Sequence, residues 1–185
     1  MLLSILILSL ESRRHFLDRL LRVLGPQKTE GVEIILEIDN GENSIGKKRN
    51  IALSKATGEY VVYVDDDDLV SEDYVEKILE AIKSKPDCVS LTAFYFIDEI
   101  LHGLSYHSIN HTSWYDKHDK VLRFTRYYRQ PGHTNAIRRE LALKCPFPEV
   151  SWGEDRSFCA CILEHLKTES YIVEPIYYYF FRKTK

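Results

Sequence analysis

Glu59-Tyr60-Val61-Val62-Tyr63-Val64 runs without a break into Asp65-Asp66-Asp67-Asp68-Leu69-Val70, and this junction decides the fold. Tyr60–Val64 is β-branched and aromatic with no polar alternation, the pattern of a short strand covered on both faces. Four carboxylates follow at once, so they stand at the strand's carboxyl end. Upstream, Ser44 is placed to cap a helix running to about Ala56, with Gly58 as its stop. Val32–Ile38 reads as a second apolar strand ending in the turn Asp39-Asn40-Gly41. Leu2–Leu10 reads as the first strand. The helix after it carries Phe16, Leu17, Leu20, Leu21 and Leu24 on one stripe and halts at Gly25-Pro26. Downstream, Ser71 is expected to cap a helix facing inward through Val75, Ile78, Leu79 and Ile82, and Cys88–Ile97 is a fourth strand. Strands alternating with helices predict βαβ crossovers and a mostly parallel sheet. Ligands gather at the carboxyl ends of such sheets, which puts Asp39 and the aspartate run on one rim.

The second half is less regular. Residues 98–130 mix histidines, tyrosines and Trp114 with charges and suggest only short strands or hairpins. His102, His107 and His111 read there as exposed loop residues. Asn135–Ile137 suggests a short strand, Arg138–Leu143 a helix and Cys145-Pro146-Phe147-Pro148 a rigid loop. Glu154–Leu166 is helical, with Phe158, Ile162, Leu163 and Leu166 apolar. Tyr171–Phe180 closes as a strand whose Tyr177-Tyr178-Tyr179 packs core and rim.

The chain has 185 residues, 44% of them hydrophobic and 29% charged, which fits one folded domain and excludes a disordered chain. A net charge of -3 excludes a global basic field, so no nucleic-acid partner is expected. Cys88, Cys145, Cys159 and Cys161 form no CxxC pair, so reduced buried thiols in a cytoplasmic protein are expected rather than a disulfide or zinc scaffold. Met1–Leu10 is apolar but lacks a basic leader and a cleavage site and is too short to span a bilayer, so no transmembrane segment is expected.

Crowded carboxylates raise each other's pKa unless a cation relieves them. Oxygen-rich sites suit magnesium, manganese or calcium rather than zinc. In extended chain Asp65 and Asp67 share one face and Asp66 and Asp68 the other, so one pair meets a shared ion. The plain alternative is an acidic turn with Asp68 or Ser71 as a cap, but capping needs one aspartate, not four. A metal at a strand end suits phosphate chemistry, since a divalent cation bridges carboxylates and a pyrophosphate. On the preceding helix, Gly46-Lys47-Lys48-Arg49-Asn50 supplies cations. One or two of them would reach the rim, or Lys47 and Lys48 form a solvated face.

Ser44-Ile45-Gly46-Lys47-Lys48-Arg49-Asn50, Ala56-Thr57-Gly58-Glu59-Tyr60, Val64-Asp65-Asp66-Asp67-Asp68-Leu69 and the strand-end Asp39-Asn40-Gly41 together resemble family 2 glycosyltransferases of the GT-A fold. The resemblance implies an α/β, Rossmann-like, mostly parallel sheet flanked by helices with a smaller mixed acceptor-side region. Residues 1–97 would be the nucleotide-sugar-binding half and 98–185 the acceptor-binding and catalytic-base half of one domain. Carried over, Asp39 would contact the nucleobase, Asp65 the ribose, and Asp67 would be the principal metal ligand in D-x-D. Asp66-x-Asp68 fits the same motif one residue on. Ser9, Arg49 and Asp66 would complete the donor site, although Ser9-Leu10-Glu11-Ser12-Arg13 replaces the proline–threonine stretch common in the family.

The family also implies a carboxylate base in an E-D pair opening a late helix, matched by Trp152-Gly153-Glu154-Asp155-Arg156. Asp155 would be the base, Glu154 would orient it or bind acceptor, and Trp152 would stack on an acceptor sugar or pack the loop. His133, in Gly132-His133-Thr134-Asn135, would lie near the donor sugar or serve structure. The implied activity is metal-dependent (Mn2+ or Mg2+) inverting transfer from a nucleotide-sugar, UDP-linked, to a hydroxyl of a glycan, lipid-linked or protein-linked acceptor. Two other readings compete. Asp66-Asp67-Asp68-Leu69-Val70 matches D-x-D-x-V of phosphatase-like hydrolases, with Asp66 as phosphoryl nucleophile, but two strand–helix units precede it. A nucleotide-sugar-binding module without catalysis would keep D-x-D yet tolerate loss of Asp155. A sugar nucleotidyltransferase lacks support, since no glycine-rich phosphate loop follows the first strand here.

Overall fold

The computed structural model describes residues 1–182. Ten strands build one sheet: β1 (Leu3–Leu10), β2 (Val32–Asp39), β3 (Tyr60–Tyr63), β4 (Leu69–Val70), β5 (Cys88–Ile97), β6 (Ile100–His107), β7 (Tyr115–Asp119), β8 (Phe124–Arg129), β9 (Ala136–Arg138) and β10 (Glu169–Phe181). The helices are α1 (Arg14–Leu24), α2 (Ile45–Lys55), α3 (Tyr74–Ala81), α4 (Arg139–Ala142) and α5 (Glu154–Leu163). The main path runs β2-β1-β3-β9-β5-β6-β8-β7, while β10 pairs with β5 and β4. β1 is parallel to β2 and β3. β9 lies antiparallel between β3 and β5, so those two also point the same way, and β10 is parallel to β5.

The unbroken apolar strands have the structure their pattern requires. Leu3, Ile5 and Ile7 of β1 pack with Leu17, Leu20 and Leu24 of α1 and Ile78 of α3 on one face. Leu6 and Leu8 pack with Ala52 and Leu53 of α2 and Phe158 and Ile162 of α5 on the other. Each strand residue is therefore buried whichever way it points. All the helix-connected strands deliver their carboxyl ends to one rim.

Ser44 caps α2 as expected, accepting the Lys47 amide at 3.3 Å. Its neighbour Gly46 cannot carry a side chain: a Cβ there would sit 1.9 Å from the Pro148 carbonyl oxygen. That close approach presses the start of α2 against the loop leading to Glu154 and Asp155, with the Gly46 amide bonded to the Val150 carbonyl at 3.0 Å.

Several expectations need correction. Ser71 does not cap α3; the helix opens at Tyr74, and the Ser71 hydroxyl donates to Asp73 Oδ1 at 2.6 Å. α5 ends at Leu163 rather than Leu166, and the last strand begins at Glu169, kept in register with β5 by an irregularity around Pro175. His102 and His107 lie on β6, not in a loop: His102 Nδ1 meets the Tyr127 hydroxyl at 2.6 Å and His107 Nε2 meets the Ser105 hydroxyl at 2.9 Å. His111 packs edge-on to Tyr115 and Tyr128. The cysteines are not all reduced. Cys145 and Cys161 form a disulfide, while Cys88 and Cys159 are free and buried. Their spacing carries no motif; the Cys145–Pro148 loop reaches α5 only because of the fold. Among the described residues no helix is long and apolar enough to cross a membrane.

Candidate active site

The rim begins at the ends of β1 and β2. Asp39, the last residue of β2, accepts Lys48 Nζ at 2.9 Å and the amides of Gly41 and Asn43 at 3.1 Å each. Lys48 also donates to the Ser9 carbonyl at 2.6 Å, so its ammonium ties the two strand ends together. Burial works to raise the Asp39 pKa, but Lys48 and the two amides overcome it and hold the carboxyl below its ordinary value. Lys48 is thus buried at the rim, not on a solvated face.

Each aspartate of the run has its own partners. Asp65 Oδ1 meets Arg49 Nη2 at 3.0 Å and its Oδ2 lies 3.4 Å from His133 Nε2. Burial pushes Asp65 upward, but the Arg49 charge and His133 outweigh it and leave the carboxyl well below the usual range. Asp66 is gripped by Arg13 through Nη2 at 2.6 Å and Nε at 3.0 Å, and accepts the Ser9 hydroxyl at 2.6 Å. Asp67 Oδ2 sits 2.9 Å from Arg13 Nη2 and 3.2 Å from Arg182 Nη1. Asp68 is buried, takes the Tyr177 hydroxyl at 2.7 Å and the Phe180 amide at 2.8 Å, and is pushed well up by burial and by the Asp65 charge. The run is therefore divided among the turn that precedes α1, helix α2, and β10 with the residue just after it. Asp66 and Asp67 share Arg13, whereas Asp65 faces α2.

The two acidic motifs meet across one residue. Arg49, only 4% exposed, contacts Asp65 and also approaches Glu154 Oε1 with Nε at 3.6 Å. Its guanidinium lies over the rings of Tyr63 and Phe147 at 5.2 and 5.6 Å. Glu154 is buried in this pair, while Asp155, its neighbour on α5, turns toward a cavity of about 140 Å³. His133, Thr134, Tyr177, Tyr179 and Trp114 line that cavity with it. Asp155 Oδ1 accepts the Arg156 amide at 2.7 Å. Trp152 is 92% exposed.

Arg13, Arg182, Tyr177 and Trp114 were not singled out from the sequence as site residues, and Lys48 only as one of the cluster whose cations would reach the rim or form a solvated face. A buried carboxylate needs a cation or donor, so the aspartate run implied such partners without saying which. Trp114 comes from the irregular region, with Arg129 and Arg156 over its ring at 5.1 and 6.0 Å. His107 also lines the cavity; burial pulls its pKa down to about 3, so it is neutral at ordinary pH.

The donor set fits a divalent cation of the one-carboxylate kind. Among the described residues, every carboxylate oxygen of the run faces a protein donor or cation except Asp67 Oδ1. No carboxylate cage surrounds it, and magnesium-type sites with phosphate ligands use one or two carboxylates. Asp66, by contrast, has no oxygen left to attack phosphorus, as a phosphatase nucleophile must.

Fold and rim together define a Rossmann-like α/β protein with an arginine-buttressed acidic site at its strand ends. Residues 14–145 match the model of glycosyl transferase family 2, and the chain belongs to that family. A stretch of 95 residues, 51% of the chain, is 32% identical to glycosyltransferase GlyA of Streptococcus pneumoniae and covers 14% of that protein. The first 349 residues of S. aureus TarS, solved with UDP-GlcNAc, superpose with a TM-score of 0.75 at 17% identity, over 100% of this chain and 60% of that one. The UDP complex gives 0.72 at 18% identity, over 98% and 61%. At this identity the likeness shows the fold, which is GT-A. The chain thus spans a small part of GlyA and about three-fifths of the TarS fragment.

Proposed function

We propose that this chain transfers a sugar from a nucleotide-sugar, UDP-linked, to an acceptor hydroxyl with inversion at the anomeric carbon. The observation that carries the reading is Arg49, whose one buried guanidinium joins Asp65 of the D-x-D run to Glu154 of the E-D pair. That link sets Asp155 and His133 on the walls of one cavity, where a single sugar would meet both. Family membership and the UDP and UDP-GlcNAc complexes of a protein of the same fold support the donor class.

In this reading Asp39, fixed by Lys48 and two amides, receives the nucleobase at the end of β2. Asp65 lies beside the ribose, held ionised by Arg49. A divalent ion, Mn2+ or Mg2+, bound at Asp67 would neutralise charge on the departing diphosphate. Arg13 and Arg182 already sit against Asp67 and add positive charge at that end of the site. Asp155 takes the proton of the acceptor hydroxyl as it attacks, and needs no covalent intermediate. Glu154 stays ion-paired with Arg49 and positions the start of α5. The acceptor, a glycan or a lipid- or protein-linked hydroxyl, would be held by the 98–182 side of the cleft, where Trp114 stands.

Thermal-shift measurements with UDP, UDP-GlcNAc, GDP and AMP, each with and without Mn2+, test the donor. Selective stabilisation by a uridine ligand, larger with Mn2+, is expected because a ligand that binds only the folded state raises its melting temperature. Equal, metal-independent shifts for all four, or none, would reject it.

A further inference from the structure

Away from the rim, the disulfide has a neighbour. Cys145 follows α4, Cys161 lies in the last turn of α5, and His165 is in the turn just beyond. Each offers one ligand atom, and these atoms lie within 4.8 Å of one another. It is the one group of three such side chains gathered this closely among the described residues. Cys145 is fully buried. No described residue hydrogen-bonds to, or ion-pairs with, the His165 ring, which leaves it available beside the two sulfurs.

Two sulfurs and one imidazole form the soft N/S set that selects zinc, not the hard oxygens that suit magnesium or manganese. Tetrahedral zinc, with Zn–S near 2.3 Å and Zn–N near 2.0 Å, sets its ligand atoms roughly 3.5–3.8 Å apart. That spacing falls inside the observed envelope once the two sulfurs are no longer bonded. We propose that the Cys145–Cys161 disulfide and a Zn2+ site of Cys145, Cys161 and His165 are two alternative states of this cluster. A dithiol reductant opens the disulfide by exchange, leaving two thiols and the reductant's own cyclic disulfide. Zn2+ then displaces both thiol protons to solvent and is held by the two thiolates, an imidazole nitrogen and a water. In either state the cluster fastens the loop after α4 to the helix that begins with Glu154 and Asp155. Cys161 lies about 9 Å along α5 from Asp155, so the ion would lie apart from the rim.

The test uses the full chain, with Co2+ as a spectroscopic probe and Zn2+ as competitor. The protein is oxidised, or reduced with a dithiol that is then removed without air. The reduced protein should bind one Co2+ per chain with thiolate-to-metal charge-transfer absorbance, lost on adding Zn2+, and the oxidised protein should show none. His165→Ala should weaken Co2+ binding at least tenfold. Zn2+ should raise the melting temperature of the reduced wild type but not of Cys145→Ser. No charge-transfer band in the reduced wild type, an unchanged Co2+ affinity of that band in His165→Ala, or an equal band in the oxidised protein would each overturn the proposal. None of these readouts depends on glycosyl transfer.

Discussion

Replacing Arg49 with methionine keeps an unbranched apolar stem while removing the guanidinium and its charge. The loss should be large, because two carboxylates then share a closed site without a cation. Glu154 is buried, and the Asp65 side chain is 29% exposed, so Asp65 is partly relieved by water. Removing one partner of a buried ion pair costs roughly 3–5 kcal/mol, and losing the stacking over Tyr63 and Phe147 costs ~1 kcal/mol that overlaps with it. A loss of about 4 kcal/mol is expected, which lowers the melting temperature of a domain this size by roughly 8–16 °C. Urea unfolding at neutral pH measures it. Glu154→Gln in the Arg49→Met background should recover part of the loss, since a neutral amide no longer needs the guanidinium. Arg49→Lys should fall between, keeping charge without the planar fork. A loss below about 1 kcal/mol, or no recovery on adding Glu154→Gln, would refute the view that Arg49 holds the two acidic motifs together.

Asp67→Ala should abolish the part of nucleotide binding that depends on Mn2+ and leave the metal-free part near wild type; calorimetry with UDP at fixed Mn2+ and in EDTA reads both. Lys48→Met should cost about 3 kcal/mol at pH 7 through loss of the Asp39 pair. The Asp39 carboxyl is held below its unfolded value near 3.9, so its contribution is present above about pH 4 and lost as pH falls through the lower folded value. The gap between wild type and Lys48→Met should therefore narrow below pH 4, and a gap constant from pH 7 to 3 would contradict the pairing. Gly46→Ala should destabilise by about 2 kcal/mol although alanine favours helices, because its Cβ would meet the Pro148 carbonyl 1.9 Å away. Chemical denaturation showing a gain instead would mean that the 148–150 loop yields freely.

The first half of the fold was readable because burial on both faces leaves a pattern. Leu3–Leu10 and Tyr60–Val64 are apolar apart from Ser4 and Ser9, whose buried hydroxyls donate to Glu33 and Asp66, and the aspartates that end the second run mark the rim. The Asp39 and Asp65–Asp68 positions followed from the same logic. Their partners did not, because Arg13 to Asp66 and Arg182 to Asp67 join residues far apart in sequence. The parity argument also fell short: alternate faces of an extended strand cannot describe a run that leaves the strand at Tyr63 and turns. β6, β7 and β8 were blurred because their faces are shared between tyrosine stacks and water. Tyr115 on Tyr128 at 4.6 Å and Tyr95 on Tyr127 at 4.0 Å are contacts between strands that polarity alone does not announce. The Cys145–Cys161 bond was misread for a related reason, since a 16-residue separation carries no motif and only the folded loop brings the sulfurs together.

The most direct measurement is Asp155→Asn, with nucleotide-sugar turnover in the presence of acceptor and UDP affinity recorded on the same protein. Asn keeps the shape and the bond from the Arg156 amide but cannot take a proton. Turnover should fall by at least a hundredfold, the scale of a positioned general base, while UDP affinity stays within about twofold. Turnover kept within tenfold of wild type, or affinity lost in step with turnover, would contradict a cleft in which one carboxylate activates the acceptor and a separate acidic rim holds the nucleotide.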